Sequence, residues 1–259
     1  MYPYVTINGI MLPTYFLCSA AGICIAMVVL SRLLIDRFLF CKYIKIIFYS
    51  MIGLFVGAKL FGTISWSLSS LYNKGSFNLS ASLKNSGIVY WGGLLGFLSS
   101  FWCLCKWKEE RDIKEVGNIL AIVIPLFHVF GRIGCYFGGC CYGKKYNKFG
   151  AVLYRIGKKG KQILRFPTQP LEAGFEFVFF LILYYVYKKK KDKGDGKLLI
   201  IYMYGYSIFR FVVEFWRGDS ERGIYGFFSF SQIVCVFVIG CLLANYITGM
   251  RRKKKNENI

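Results

Sequence analysis

The sequence predicts an all-α polytopic membrane protein of seven transmembrane helices, and three observations carry that prediction. First, 56% of the 259 residues are hydrophobic and the mean hydropathy is +0.46, too apolar for an ordinary water-soluble domain. Second, the apolar residues fall in runs close to the ~20 residues an α-helix needs to cross the hydrocarbon core. Third, most of the 34 Lys and Arg residues sit in short clusters between those runs, as in cytoplasmic loops. The formal net charge of +21 therefore points to anionic lipid head groups. Nucleic acid is excluded as a partner, because no soluble stretch is long enough to form a module that would bind it.

The whole chain, 1–259, reads as a single integral membrane domain. Residues 1–13 are uncharged, and the first run has neither a positive segment before it nor a small-residue cleavage site after it. It is therefore a span, 15–34, and not a leader peptide. Arg32, Asp36, Arg37, Lys42 and Lys45 mark its cytoplasmic end, so the N-terminus is expected outside. The second span, 46–68, carries Gly53, Gly57 and Gly62, small residues that allow close helix packing. Lys59 inside it either snorkels or faces a polar cavity. The polar stretch 69–86 is expected outside. The third span, 88–105, opens on Tyr90, Trp91, Gly92, Gly93 and Gly96. A charged loop, 106–114, leads to the fourth span, 116–137.

The longest connection, 140–167, carries six lysines, yet alternation of the flanking spans places it outside. Its alternating stretches 151–155 and 162–165 predict a small β-hairpin around Gly157 and Gly160. The fifth span, 170–187, ends in the basic turn 188–193. The sixth, 198–213, runs directly into Glu214, Trp216, Arg217 and Asp219. The seventh, 227–247, precedes a basic cytoplasmic tail, so the C-terminus is expected inside.

One stretch stands apart, from His128 to Gly143. Arg132 lies at the end of an apolar run, where an ionised side chain is costly and takes a partner or ligand. Gly131, Gly134, Gly138, Gly139 and Gly143 let the backbone approach a ligand closely. Of the 10 cysteines, only Cys135, Cys140 and Cys141 cluster with glycine and charge. Cys18, Cys24, Cys103, Cys105, Cys235 and Cys241 read as small buried hydrophobes. The cluster has three readings. Cys135 and Cys140 pair as a disulfide, Cys140 is a nucleophile in a two-step transfer, or the three simply pack. Metal binding is disfavoured, since Cys-x4-Cys-Cys lacks the usual paired spacing. His128, the only histidine, shares a helical face with Arg132 and reads as either a base or a structural residue. Further along, Tyr206, Arg210 and Glu214 share one face at four-residue spacing. Arg217, two turns beyond Arg210, reaches either a head group or Glu214. Gln169 and Gln232 read as helix-start hydrogen bonders or as ligand contacts, and the pair Gly92 and Gly93 as packing or as part of the site.

In order along the chain, Tyr15, Gly57-Ala58-Lys59, Gly92-Gly93-Leu94-Leu95-Gly96, Gly131-Arg132-Ile133-Gly134, Pro167-Thr168-Gln169 with Glu172, Phe209-Arg210-Phe211 with Glu214 and Arg217, and Ser231-Gln232 resemble the motifs of prolipoprotein diacylglyceryl transferases. The resemblance covers nearly the whole chain. It implies an enzyme of the bacterial cytoplasmic membrane, working on the outer side without metal or organic cofactor. Such an enzyme moves a diacylglyceryl group from phosphatidylglycerol to the lipobox cysteine of a prolipoprotein and releases glycerol phosphate. The implied catalytic residues are Arg132, Arg210 and Glu214; Tyr206 joins them from its place on the Arg210 face, and Cys140 from the nucleophile reading of the thiol cluster. The two guanidinium groups are expected to converge on a phosphate, which arginine grips bidentately. Tyr15, Gly92, Gly93, Gly134, Cys135, Gly139, Gly143, Gln169, Glu172, Arg217 and Gln232 are the implied substrate contacts.

The chain also departs from the family. Trp91 stands where the family has histidine, Cys135 and Gly138 where it has asparagines, and Cys140 where it has glutamate. Pro170-Leu171 precedes Glu172 in place of the usual Leu-Tyr. These departures leave two further readings: a member using another lipid donor or acceptor, and a non-catalytic lipid-binding protein with a thiol switch.

Overall fold

The computed structural model describes residues 3–7, 9–156, 161–219 and 223–257; the expected hairpin tip at 157–160 lies outside the described residues. The chain divides into two compact units. The first comprises Met1–Tyr49, Phe101–Leu199 and Phe215–Glu221, and the second Ser50–Ser100, Ile200–Glu214 and Arg222–Ile259.

The first unit opens with an antiparallel hairpin, β1 (Tyr4–Ile7) with β2 (Ile10–Pro13), followed by α1 (Thr14–Ile35) and the start of α2 (Phe40–Lys74). Its centre is α5 (Ile113–Gly138), which packs against both α1 and α6 (Thr168–Lys189). Most of α5 is buried, whereas most of α1 and of α6 is not, which identifies α5 as the core helix. Close approach of α1 rests on missing side chains: a Cβ on Gly22 would come 2.6 Å from the Phe130 Cβ, and one on Gly134 would come 3.1 Å from the Tyr15 ring.

A buried amide fixes the turn after α6. Asn118 donates to the Lys193 carbonyl at 2.7 Å and to Asp195 at 3.1 Å, and accepts the Leu198 amide at 2.9 Å. Burial on its own would raise the Asp195 carboxyl, but Lys190, the Lys197 amide and Asn118 hold it down at about 2. The predicted loop hairpin is present, with β3 (Val152–Ile156) antiparallel to β4 (Lys161–Arg165).

The second unit is built on two interlocked small-residue motifs. Gly53 and Gly57 on α2 face Gly92 and Gly96 on α4 (Tyr90–Trp107), so closely that a Cβ on Gly57 would run into the Gly92 carbonyl and lie 2.9 Å from the Gly96 Cα. A short helix, α3 (Leu79–Asn85), is capped by Asn78, which accepts the Ala81 amide at 3.0 Å. It meets α4 at a 97° bend. The bend leaves backbone groups that hydrocarbon cannot satisfy, and α2 satisfies them. Lys59 donates to the Ser86 carbonyl at 2.8 Å, Thr63 bonds the Ser86 hydroxyl at 3.2 Å, and the Val89 amide reaches the Ala58 carbonyl at 3.1 Å. Lys59 is thus a local brace.

The unit also contains most of α7 (Lys197–Val213), a 3-10 turn at Glu214–Trp216 whose first residue belongs to this unit, and a minimal hairpin, β5 (Ile224–Tyr225) with β6 (Phe228–Ser229). Then comes α8 (Phe230–Glu257). Ser229 and Gln232 form a reciprocal cap on α8: the Gln232 side chain accepts the Ser229 amide at 2.9 Å, and the Ser229 hydroxyl accepts the Gln232 amide at 3.3 Å. Ser229→Ala should lower stability by about 1 kcal/mol, read as a thermal-melting shift in detergent.

Among the described residues, six helices are long and apolar enough to cross a membrane, or seven if the bent pair α3–α4 counts as one span. The all-α polytopic expectation therefore holds, with three adjustments. In place of a single rod, the expected third span is a helix pair bent by 97°, the geometry of a broken span or a re-entrant segment. The stretch 69–86, expected as a polar loop, is mostly helix, because α2 runs on to Lys74 and α3 follows. The basic tail continues α8 in helical form to Glu257.

Candidate active site

In the first unit, α5 and α6 are joined by a buried polar relay. Arg132 pairs with Glu172, Nη2 to Oε2, at 2.7 Å. Its Nε donates to His128 Nε2 at 3.1 Å, and His128 Nδ1 lies 2.9 Å from Glu176 Oε1. Four-residue spacing on both helices stacks the four groups as two rungs on facing sides. All are buried, with Glu172 at 1% exposure and Glu176 at 0%.

The geometry sets the histidine tautomer. An arginine N–H only donates, so His128 Nε2 is the acceptor and Nδ1 carries the proton given to Glu176. His128 therefore positions Arg132, and its lone pair is committed there; of the two readings of this residue, the structure favours orientation over general base. Removing one member of a buried ion pair typically costs about 3–5 kcal/mol, because the other charge is left behind. The relay is thus a rigid mount for one guanidinium.

Directly beyond Arg132, α5 ends in a Schellman turn. Gly139 is left-handed, with φ 74°. The Gly139 amide reaches the Tyr136 carbonyl at 3.3 Å, and the Cys140 amide reaches the Cys135 carbonyl at 3.2 Å. This reversal folds Cys140 back over Cys135. Cys141, itself left-handed at φ 57°, completes a cluster in which the three sulfurs lie within 4.8 Å of one another. All three are free thiols, so the disulfide reading of Cys135 with Cys140 is not realised in this structure. The Cys141 thiol is held well below its ordinary range by hydrogen bonds from Cys135 and Cys140, with Arg217 and Arg132 adding positive charge.

The turn is clamped from the start of α6. Gln169 donates to the Cys140 carbonyl at 2.5 Å and Thr168 to the Cys141 carbonyl at 2.9 Å, while Tyr154 of β3 donates to the Gln169 side-chain oxygen. Burial pushes the Tyr154 phenol up, so it stays a donor. Gly143 passes so close to Phe166 that a Cβ there would strike the Phe166 backbone, and Arg165 donates to the Gly143 carbonyl at 2.9 Å with its guanidinium 4.0 Å over the Tyr142 ring. Gln169→Leu would strand the Tyr154 hydroxyl and the Cys140 carbonyl. A loss of about 1–3 kcal/mol is expected, again measured as a melting shift.

The predicted residues fall into two groups, one in each unit. Arg132, Gly134, Cys135, Gly139, Cys140, Gly143, Gln169 and Glu172 gather along α5, its terminal turn and the start of α6, with Tyr15 packed on Gly134. Arg217, also in the first unit, grips Asp219 through two hydrogen bonds of 2.9 and 2.5 Å. In the second unit Arg210 pairs with Glu214 at 2.7 Å, one helical turn apart. Tyr206 is 1% exposed, and its ring centroid lies 5.0 Å from that of Trp91. Trp91 thus packs as a buried ring where the family has an ionisable imidazole. Gly92 serves the α2–α4 crossing together with Gly96, and Gly93 packs at ordinary contact distance against Leu54 and Ala58. Gln232 caps α8 and also reaches the Phe211 carbonyl at 3.3 Å.

Sequence reasoning missed Glu176, Thr168 as a clamp, Tyr154 and Arg165. Glu176 had a signal, as a carboxylate inside an apolar run one turn after Glu172. Tyr154 had none, because its partner Gln169 is set by tertiary structure.

The fold and the relay together define a multi-pass membrane protein whose buried arginine is mounted between two helices beside a glycine- and cysteine-rich turn. The family model for prolipoprotein diacylglyceryl transferase matches residues 3–248, and the chain belongs to that family. It is similar to phosphatidylglycerol–prolipoprotein diacylglyceryl transferase 2 of Clostridium perfringens, 33% identical over 175 residues, covering 66% of this chain and 67% of the relative. It is also similar to the Helicobacter pylori transferase, 33% identical over 177 residues, covering 66% of this chain and 61% of that one. The Helicobacter acinonychis transferase is 32% identical over 171 residues, 65% of this chain and 60% of the relative. The matched stretch thus spans about two thirds of the first relative and about three fifths of the other two.

Proposed function

We propose that this protein is a bacterial plasma-membrane transferase that moves a diacylglyceryl group from phosphatidylglycerol to the lipobox cysteine of a prolipoprotein. The observation that carries this reading is the buried Arg132–Glu172 pair, held by His128 and Glu176, at the family's Gly-Arg-Ile-Gly motif. In the reaction the acceptor thiolate attacks the glycerol carbon that bears the phosphate ester. A C–S bond forms and the C–O bond breaks. Glycerol phosphate leaves with the electron pair, and the thiol proton passes to solvent or to a base. Because the acceptor supplies its own nucleophile, the protein's task is to hold and neutralise the departing phosphate, the expected main catalytic contribution.

A guanidinium suits that task because it stays charged and matches phosphate oxygens two at a time. Glu172 and His128 fix its direction, so the positive charge needs little reorganisation as the leaving group develops. Arg210, paired with Glu214, is the second cation assigned to substrate in this reading. Anionic lipids other than phosphatidylglycerol are candidate ligands through the basic loops.

The test is rescue of a strain depleted of its own transferase. The parent chain should restore growth and lipoprotein maturation, while Arg132→Ala and Arg210→Ala should not. Expression of folded parent chain without rescue, together with a changed lipid profile on deletion in its own host, would favour a member with another donor or acceptor.

A further inference from the structure

We propose that Cys135, Cys140 and Cys141 form a binding site for a thiophilic divalent cation of the Zn²⁺ class, with three thiolate ligands and one open coordination position. The spacing of these cysteines argues against a metal site when read as a string, because zinc ligands usually come in close pairs. The backbone removes that objection. The Schellman reversal at Gly139 stacks residue 140 over residue 135, and the left-handed Cys141 turns a third sulfur inward. The three sulfurs lie within 4.8 Å of one another. Tetrahedral coordination with Zn–S bonds of about 2.3 Å needs sulfurs about 3.8 Å apart, so closure takes movements of about 1 Å or less.

Three further observations fit. Outer contacts that orient ligands are the mark of a built site, and here Gln169 and Thr168 hold the carbonyls of Cys140 and Cys141 from a helix that is itself fixed by Tyr154. An entry path exists, because Cys140 is exposed while Cys135 is buried. Positive charge lies close by: three thiolates around a divalent ion leave one negative charge, and Arg132 and Arg217, each also paired with a carboxylate, both act electrostatically on the Cys141 sulfur. Soft thiolates select zinc-like or cuprous ions over Mg²⁺ and Ca²⁺. Binding displaces the thiol protons to solvent.

The site is tested without the transfer reaction. The probe is Co²⁺, added anaerobically to the purified full-length protein in detergent, with all ten thiols shown to be reduced. One equivalent should produce thiolate-to-cobalt charge-transfer absorption with tetrahedral ligand-field bands, and one equivalent of Zn²⁺ should displace it. Cys140→Ser, at the exposed ligand and so least prone to misfold, should weaken binding roughly tenfold or more, as loss of a ligand must exceed the loss seen for outer contacts. The triple serine variant should abolish the absorption, whereas Cys24→Ser with Cys103→Ser should leave it intact. No thiolate band at one equivalent, or a band that survives in the triple variant or is unchanged in Cys140→Ser, overturns the proposal.

Discussion

Replacing Arg132 by alanine is expected to reduce lipid transfer by about 10²–10³-fold, the typical cost of removing one preorganised donor from a developing oxyanion. The same change should lower stability by about 3–5 kcal/mol, since it withdraws the guanidinium from Glu172. The two effects are separated by Arg132→Lys. Lysine keeps a positive charge beside Glu172, so part of the stability should return. It lacks the planar fork that meets two phosphate oxygens at once and reaches His128 at the same time, so transfer should stay at least about tenfold below the parent. Initial rates of label transfer from phosphatidylglycerol to a lipobox peptide, with melting temperatures of the same preparations, check both. Equal recovery of rate and stability by lysine would mean that the fork is irrelevant and that Arg132 acts through the fold alone.

The second large effect is expected where α2 crosses α4. Gly57→Leu should destabilise the second unit by about 3 kcal/mol or more, at or beyond the upper end of ordinary overpacking. An added Cβ at Gly57 meets backbone, the Gly92 carbonyl and the Gly96 Cα, and neither can swing aside as a side chain would. The helices must separate, and with them the support that α2 gives to the Ser86 carbonyl at the α3–α4 bend. Gly240→Ala is the internal control, because a Cβ there meets nothing within 4 Å. It should be neutral or slightly stabilising. Proteolysis rates and thermal melting in detergent read out both variants.

Much of this was legible before any coordinates. The spans were visible because each buries its backbone by itself, so an apolar run suffices to announce it. Arg132 was visible because an ionised residue at the edge of a span demands a partner, Glu172 only through its place in the family motif, and Arg210 with Glu214 through four-residue spacing, which the structure shows as an ion pair. The β3–β4 hairpin was visible in alternation. The bend before Tyr90 was not, since no proline marks it and the groups that satisfy it come from Lys59 and Thr63, more than twenty residues upstream. The thiol cluster was half legible: the two glycines at the end of α5 signal a helix stop, but the sign of φ at Gly139 and Cys141 decides where Cys140 and Cys141 go. The role of Gln169 was split from its true partners because Tyr154 reaches it from another element.

The most direct measurement is mass spectrometry of a lipobox peptide incubated with purified protein and phosphatidylglycerol, with released glycerol phosphate counted in the same reaction. The structure and family predict a peptide heavier by one diacylglyceryl group on its cysteine sulfur, one glycerol phosphate per modified peptide, and neither product with Arg132→Ala. Unmodified peptide from folded, lipid-supplied protein, under conditions where a curated relative is active, would contradict the account.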